Sequence, residues 1–333
     1  MKRLFTACVL ATVICLPASA GSLKKNWVSA KAQWVAHIDM DAARASSIGK
    51  FLIEHRDELD IDFGEMEEMG INPIEDIDSV TLYGVGDPEN EGVIIVQMND
   101  SIDRLIEKAK EHADDFEEIE VDGIKMYSID DGENFVHVHR GREGRRTVII
   151  TGATDRLIHA INVIEGDARS LDDVDSPALR GSPKKGTICY AQAAGLPWLH
   201  DNDNPASQVV KLAKQITFQV GEYQEEAFAT LSLKTTKDED ASNITGILNG
   251  VISLGRMLAS QKDSDFAELS QLLDAVKISS KGNGIKISVS FAAKELLEHV
   301  QLLMEQHEDD EEDDEDDEDD EDDEDDEDDD WDN

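Results

Sequence analysis

The sequence predicts an α+β protein in which two similar lobes carry largely antiparallel sheets with helices on one face. Short apolar or alternating runs, separated by turn residues, predict many strands that follow one another along the chain. Amphipathic helical segments follow these strands. Both halves have the order strand, helix, strand, strand, helix, strand, strand, helix. We interpret this order as an internal duplication with drifted sequence; a chance likeness of two ordinary α+β domains is the alternative.

The first lobe spans residues 21–183 and begins with an apolar strand at Trp34–Ile38. The run Val93-Ile94-Ile95-Val96 predicts a strand that is buried on both faces, because no polar residue interrupts it. Asp122-Gly123, between two strand-like runs, predicts a tight hairpin. The other elements predicted here are helices at Ser47–Arg56, Glu65–Met69, Ile102–His112 and Thr154–Ile164, and strands at Ser79–Val85, Gly92–Met98, Phe135–His139 and Thr147–Thr151.

The second lobe spans residues 184–307 and follows a polar linker. Asn204 before Pro205 predicts the start of a helix. Thr236-Lys237-Asp238-Glu239 is a capping box for a long helix, whose apolar face begins with Ala241 and Ile244. The other predicted elements are strands at Thr187–Ala193, Gln215–Val220 and Ala227–Leu233, a short helix at Asp265–Leu273, a hairpin through Gly282-Asn283-Gly284 into an alternating strand, and a closing helix at Lys294–Met304.

Residues 1–20 have the pattern of a secretory signal peptide. Lys2-Arg3 precedes an apolar stretch, Leu4–Leu16, that is too short to span a bilayer comfortably. Ala18-Ser19-Ala20 then fits the small-residue cleavage pattern before Gly21. We therefore expect a secreted or periplasmic protein with no membrane span after cleavage. An uncleaved membrane anchor is the alternative.

The last 26 residues, 308–333, form a polyanionic tail with 24 carboxylates and no Lys or Arg. Such a segment has no apolar surface to offset chain entropy, so we expect it to be disordered. Flexible carboxylates predict weak binding of Ca²⁺ or Mg²⁺, or of a basic protein surface, rather than a fixed metal cage. A slippage repeat retained for solubility is the alternative. The diffuse cation-binding residues begin with Glu308, Asp309, Asp310, Glu311, Glu312, Asp313 and Asp314 and continue through the rest of the tail.

The net charge of −44 contains −24 from the tail and +2 from the leader, which leaves −22 on the body. An acidic body argues against a nucleic-acid partner. One dense basic cluster stands out against this background, in the loop of a predicted hairpin. We consider it as a contact for the acidic tail or another polyanion, with an ordinary solvated turn as the alternative. The cluster consists of Arg140, Arg142, Arg145 and Arg146.

Other chemistry-bearing residues predict no specific site. His137 and His139 share one face of a strand, but the sequence places no third metal ligand beside them. Asp201-Asn202-Asp203-Asn204 begins like a calcium-binding loop and lacks its later ligands. Cys189, the one cysteine left after leader cleavage, is interpreted as a buried structural thiol. We assign no catalytic residue and no resident cofactor.

The body resembles a group of uncharacterised secreted bacterial proteins with two α+β lobes. The features that carry this resemblance are the export signal, the opening strand Trp34–Met40, the strand-helix block Thr147–Gly166 and the closing unit Ala227–Val300. The resemblance covers most of residues 30–300. It implies the fold and the compartment, because the group has no assigned activity.

The sequence therefore predicts an exported, non-enzymatic binding protein whose polyanionic tail weakly binds divalent cations or basic surfaces. The alternative function is a hydrolase or other enzyme with its site between the two lobes, where pockets often form.

Overall fold

The structure is a computed structural model that describes residues 21–56, 58–59, 63–87, 91–112, 115–141, 144–174, 179–195, 212–259 and 273–301. Several sequence predictions lie outside these residues. They are the leader, the helix that begins at Asn204, the calcium-like segment at Asp201, most of the short helix at Asp265–Leu273, Arg142 and the whole acidic tail.

A single twelve-stranded antiparallel sheet contains strands from both halves of the chain, so the prediction of an α+β fold with an antiparallel sheet is confirmed. The strand order is β11-β12-β10-β9-β8-β1-β2-β3-β7-β6-β5-β4. The strands are β1 Trp34–Asp39, β2 Ile77–Gly84, β3 Gly92–Met98, β4 Glu117–Val121, β5 Ile124–Ile129, β6 Asn134–Arg140, β7 Arg146–Thr151, β8 Thr187–Ala194, β9 Ala213–Tyr223, β10 Glu226–Thr235, β11 Lys277–Lys281 and β12 Gly284–Ala292.

Most helices connect consecutive strands of this sheet. They are α1 Met40–Arg44, α2 Ser47–Glu54, α3 Gly64–Glu68, α4 Pro73–Asp76, α5 Ser101–His112, α6 Thr154–Glu165 and α7 Asp238–Ala259. Three single turns of 3-10 helix lie at Lys25–Trp27, Asp130–Gly132 and Leu171–Asp173. Within the described part of the chain, no helix combines the length and apolar character needed to cross a membrane.

Local chemistry accounts for where several elements begin and end. Asp39 caps α1, because its side chain accepts a hydrogen bond from the backbone N–H of Ala42. Gly166 ends α6 in the left-handed region, with φ of 88°. Asp122 and Gly123 both have positive φ between β4 and β5, which confirms the predicted hairpin turn.

Helices pack against both faces of the sheet, so the prediction of helices on one face is wrong. On one face, Val93 and Ile95 of β3 join the core cluster that contains Leu157 of α6. On the other face, Ile94 and Val96 pack against the cluster that contains α5. The reason is the composition of β3 itself, since a strand that is apolar on both sides needs a cover on both sides.

The two halves of the chain meet where β1 pairs with β8, with Trp34 opposite Ala193 and Ile38 opposite Cys189. All twelve strands lie in one compact unit, Met1–Ala293. A second unit, Lys294–Asn333, is helical over its described residues, 294–301, with an ion pair of 3.0 Å between Lys294 and Glu298.

Candidate functional site

A cluster of buried ionisable residues lies at one end of the β1–β2 pair. His37, Asp39 and Asp78 are 3%, 9% and 4% exposed. Strand pairing brings them together, because Asp39 lies opposite Ser79, the residue after Asp78. We call these three residues, together with Asp41, Arg44 and Arg145, the buried charge cluster.

His37 is neutral and has a defined tautomer. Burial lowers its pKa to about 4. Its Nε2 lies 2.6 Å from the backbone oxygen of Gly21, and its Nδ1 lies 2.8 Å from Oγ1 of Thr81. A carbonyl oxygen can only accept, so Nε2–H donates to Gly21 and Nδ1 accepts from the Thr81 hydroxyl. The ring therefore fixes the position of the Gly21 backbone.

The carboxylates of the cluster differ in their partners. Arg145 forms an ion pair with Asp78, and Arg44 forms one with Asp41 at 2.5 Å. Asp39 accepts a hydrogen bond of 2.6 Å from the N–H of Ala42. Burial, followed by the nearby Asp41, raises the pKa of Asp39 to about 7, and Arg44 opposes this shift.

Two members of the predicted arginine cluster, Arg145 and Arg146, form ion pairs within the chain. Arg146 donates to both carboxylate oxygens of Asp103, the shortest contact being 2.6 Å. Together with the Arg145 pair, this ties the loop between β6 and β7 to α5 and β2. Arg140 at the end of β6 is exposed. Two of the four arginines thus hold the loop in place, which the charge pattern of the sequence did not reveal.

The histidine pair lies on β6, and Cys189, predicted to be buried, is partly buried on β8. The rings of His137 and His139 lie 6.4 Å apart, and His137 contacts the backbone oxygen of Lys125 at 2.8 Å. Val136 and Val138, which alternate with the two histidines along β6, pack against a core cluster. Among the residues that the structure describes, no three His, Cys, Asp or Glu side chains group closely enough to hold a metal ion. Burial raises the pKa of Cys189 to about 11, which keeps the thiol protonated near neutral pH.

A lysine-aromatic surface in the second half was not found from the sequence. Lys184 lies over the ring of Phe228 at 5.2 Å, and Lys185 lies over Tyr223 at 5.0 Å. The pKa of Lys184 is lowered, first by burial and then by the nearby Lys286. The contributing residues are far apart in the chain, so no local pattern predicts this surface.

Comparisons with known proteins give only a distant likeness. No protein-family model matches the chain, and no curated protein matches it. Crystal form III of TP0453 is similar with a TM-score of 0.48 and 11% identity, covering 85% of this chain and 99% of that chain. Crystal form I of TP0453 gives 0.46 and 11%, covering 85% and 98%. At these values the likeness carries no inference about function.

Proposed function

We propose that this chain is an exported, non-enzymatic binding protein. A folded α+β body presents the polyanionic tail at residues 308–333, which binds divalent cations or a basic protein surface electrostatically. A leader protease removes residues 1–20, and the mature protein is secreted or periplasmic. The resemblance to secreted bacterial proteins with two α+β lobes is part of this proposal.

The charge density of the tail is the observation that carries the proposal. Twenty-four carboxylates within 26 residues, without one Lys or Arg, make it a linear polyanion. An extended chain advances about 3.4 Å per residue, so the charge spacing is similar to that along one strand of DNA. Such a chain holds a dense atmosphere of cations. Without a rigid cage, each Ca²⁺ is bound with an affinity on the order of millimolar or weaker.

The junction between the two halves favours binding over the alternative, a hydrolase with a site between them. The halves meet through the backbone ladder of β1 and β8. Polar side chains beside this ladder bond to one another: the hydroxyl of Tyr190 donates to Gln192, and Gln192 donates to Thr217. These side chains are therefore paired with one another in the free protein, which is typical of a structural position.

The proposed internal duplication of residues 21–183 and 184–307 is supported by the strand order. In the first half, β1, β2 and β3 are followed by β7 and then β6 across the sheet; in the second half, β8, β9 and β10 are followed by β12 and then β11. A helix leaves the third strand in both halves, α5 after β3 and α7 after β10. The hairpin β4–β5 is the extra part of the first half.

Isothermal titration with Ca²⁺ tests the tail. The full chain is compared with a chain that ends at residue 307 and with a chain of full length whose tail Asp and Glu residues are replaced by Asn and Gln. Measurements at about 20 mM and about 200 mM monovalent salt separate an ion atmosphere from a fixed site. We expect binding heat in the full chain alone, and a smaller heat at the higher salt concentration. Heat that persists in both altered chains, or that is independent of salt, contradicts the proposal.

A further inference from the structure

We propose that removal of residues 1–20 creates an α-ammonium group at Gly21 that forms a buried ion pair with Asp39. This inference rests on the leader cleavage of the proposed function. Hydrolysis of the Ala20–Gly21 amide adds hydroxide to the Ala20 carbonyl carbon and a proton to the Gly21 nitrogen. The released leader ends in a carboxylate, and the new amine takes up a further proton near neutral pH.

Gly21 is already packed against the carboxylate that would receive it. His37 Nε2–H donates to the Gly21 carbonyl oxygen at 2.6 Å. This hydrogen bond holds Gly21 beside β1, the strand that carries His37 and Asp39. A Cβ on Gly21 would lie 2.8 Å from Cγ of Asp39 and 2.8 Å from the backbone oxygen of Asp78. Real Cβ atoms do not come so close, so glycine alone fits here.

The charges of the buried charge cluster leave a place for one more cation. Its two guanidinium groups pair with Asp41 and Asp78. Among the described residues, no ion pair within 4.0 Å neutralises Asp39, although this side chain is 9% exposed. A buried carboxylate without a cation is costly to ionise. Lys24, the other cation nearby, interacts with Asp78, so an ammonium group beside Asp39 would supply the partner that this carboxylate lacks.

Cleavage supplies that ammonium without moving the backbone. In the uncleaved chain the nitrogen of Gly21 is a neutral amide with one hydrogen, whereas after cleavage it carries three donors and a positive charge. The hydrogen bond from His37 holds the Gly21 carbonyl in both forms. The nitrogen lies on the same Cα, about 2.5 Å from the Cβ position that contacts Asp39, so the new group emerges within reach of this carboxylate. Charge-assisted hydrogen bonds of this kind are about twice as strong as neutral ones. The proposed ion pair therefore stabilises the mature chain and is absent from the uncleaved chain.

The test compares two chains that differ by one residue. One chain begins at Gly21 and the other at Ala20, and each is prepared with native Asp39, with Asp39→Asn and with the exposed control Asp167→Asn. Asparagine is as good a helix cap as aspartate, so the Asn variant keeps the start of α1. Urea unfolding at about pH 6.5 gives the folding equilibrium constant of each chain.

We expect the chain that begins at Gly21 to have a folding constant about tenfold higher than the chain that begins at Ala20, with native Asp39 and with Asp167→Asn alike. With Asp39→Asn the two chains should agree within about twofold. The advantage should disappear as pH rises through the α-amino pKa. The other titratable and charged groups around this site are His37, Asp41, Asp78, Arg44, Arg145 and Lys24. They are common to all of these chains, so the comparison with Asp39→Asn isolates the contribution of Asp39.

Equal stability of the two native chains, or a tenfold difference that persists with Asp39→Asn, overturns the inference. If Asp39→Asn fails to fold, the pKa of the Gly21 amine is measured instead. The rate at which the amine is acylated at different pH values gives this pKa. It should lie above the usual range of about 7.7 to 8.0, and a value within or below that range overturns the ion pair.

Mass spectrometry of the exported protein separates the two proposals. An exported protein that begins at another residue contradicts this inference alone, whereas a chain that is not exported contradicts the proposed function.

Discussion

His37 and Asp39 are two residues apart on β1, and burial moves their pKa values in opposite directions. Burial disfavours the charged form of each group. The pKa of His37 therefore falls to about 4, and that of Asp39 rises to about 7. Between these pH values, His37 makes the folded state more stable as pH rises, whereas Asp39 makes it less stable. The two contributions oppose one another in the pH dependence of the native protein.

Substitution of His37 by Gln should reveal the histidine contribution. The unfolded chain binds a proton at His37 near pH 6.5 and the folded chain does so near pH 4, so stability from neutral His37 is complete above about pH 6.5 and is lost as pH falls toward 4. We expect the stability advantage of the native chain over His37→Gln to shrink by on the order of 1 to 3 kcal/mol across this window. Urea unfolding between those pH values measures it. Asp39 contributes equally to both chains, so parallel stability curves would contradict the prediction.

At the level of elements, glycines have opposite roles in β9 and α7. A Cβ on Gly221 in β9 would lie 2.7 Å from Cα of Thr187, where the pairing of β8 with β9 shifts register. A Cβ on Gly246 in α7 meets no atom within 4 Å. Glycine is therefore required in the strand, whereas in the helix it only adds flexibility to the unfolded chain.

Alanine at these two positions should change stability with opposite signs. We expect Gly221→Ala to lower the unfolding free energy by about 1 to 3 kcal/mol, because backbone atoms must move to admit the methyl group. Gly246→Ala should raise it by about 0.5 to 1 kcal/mol, because alanine favours the helix. Denaturant midpoints at constant m-value measure both. Changes of the same sign in the two variants would show that local contacts do not control the effect.

Long-range packing also decides how much of a predicted helical face is buried. The sequence pattern places Ala241, Ile244 and Val251 on one side of α7. The structure buries the first two in a core cluster with β10 and β12, whereas Val251 is 60% exposed. Periodicity identifies a face of a helix, but it does not state where the sheet beneath that face ends.

For the molecule as a whole, the β1–β8 ladder makes the two halves parts of one sheet. If they were separated, each half would expose an unpaired edge strand, β1 in the first half and β8 in the second. Such edges associate readily with other strands. The halves therefore resemble one another in strand order, yet each completes the sheet of the other.

We expect fragments 21–183 and 184–333 to form a 1:1 complex when mixed and to self-associate when kept apart. Analytical ultracentrifugation of each fragment and of the mixture measures this. Proline in place of Ala194 is the control, because the Ala194 N–H donates to the backbone oxygen of Gln33 across the junction, and its loss should weaken the complex of the two fragments. Two monomeric fragments that each unfold cooperatively and do not bind one another would contradict the prediction.

Sequence patterns predicted the elements with strong local signals. The strand β12 and the Asp122-Gly123 turn both appear in the structure. The predicted alternation of β12 is seen only at Ile285, which is buried, and Lys286, which is exposed; residues 287–291 are all half-buried. The turn between β9 and β10 was not predicted as a tight turn, because Gln224 and Glu225 adopt positive φ without a glycine. The buried charge cluster also escaped prediction, since Asp78 and Arg145 are 67 residues apart in the chain.

The sequence by itself determined the α+β class, most strand positions, the acidic balance of the body and the carboxylate content of residues 308–333. These properties depend on composition and on periods of two or 3.6 residues, which are local. Tertiary structure alone decided that the halves share one sheet, that helices cover both of its faces, and that Gly21 meets His37 and Asp39. Those features depend on strand pairing and burial between distant residues, and no local pattern in the chain encodes them.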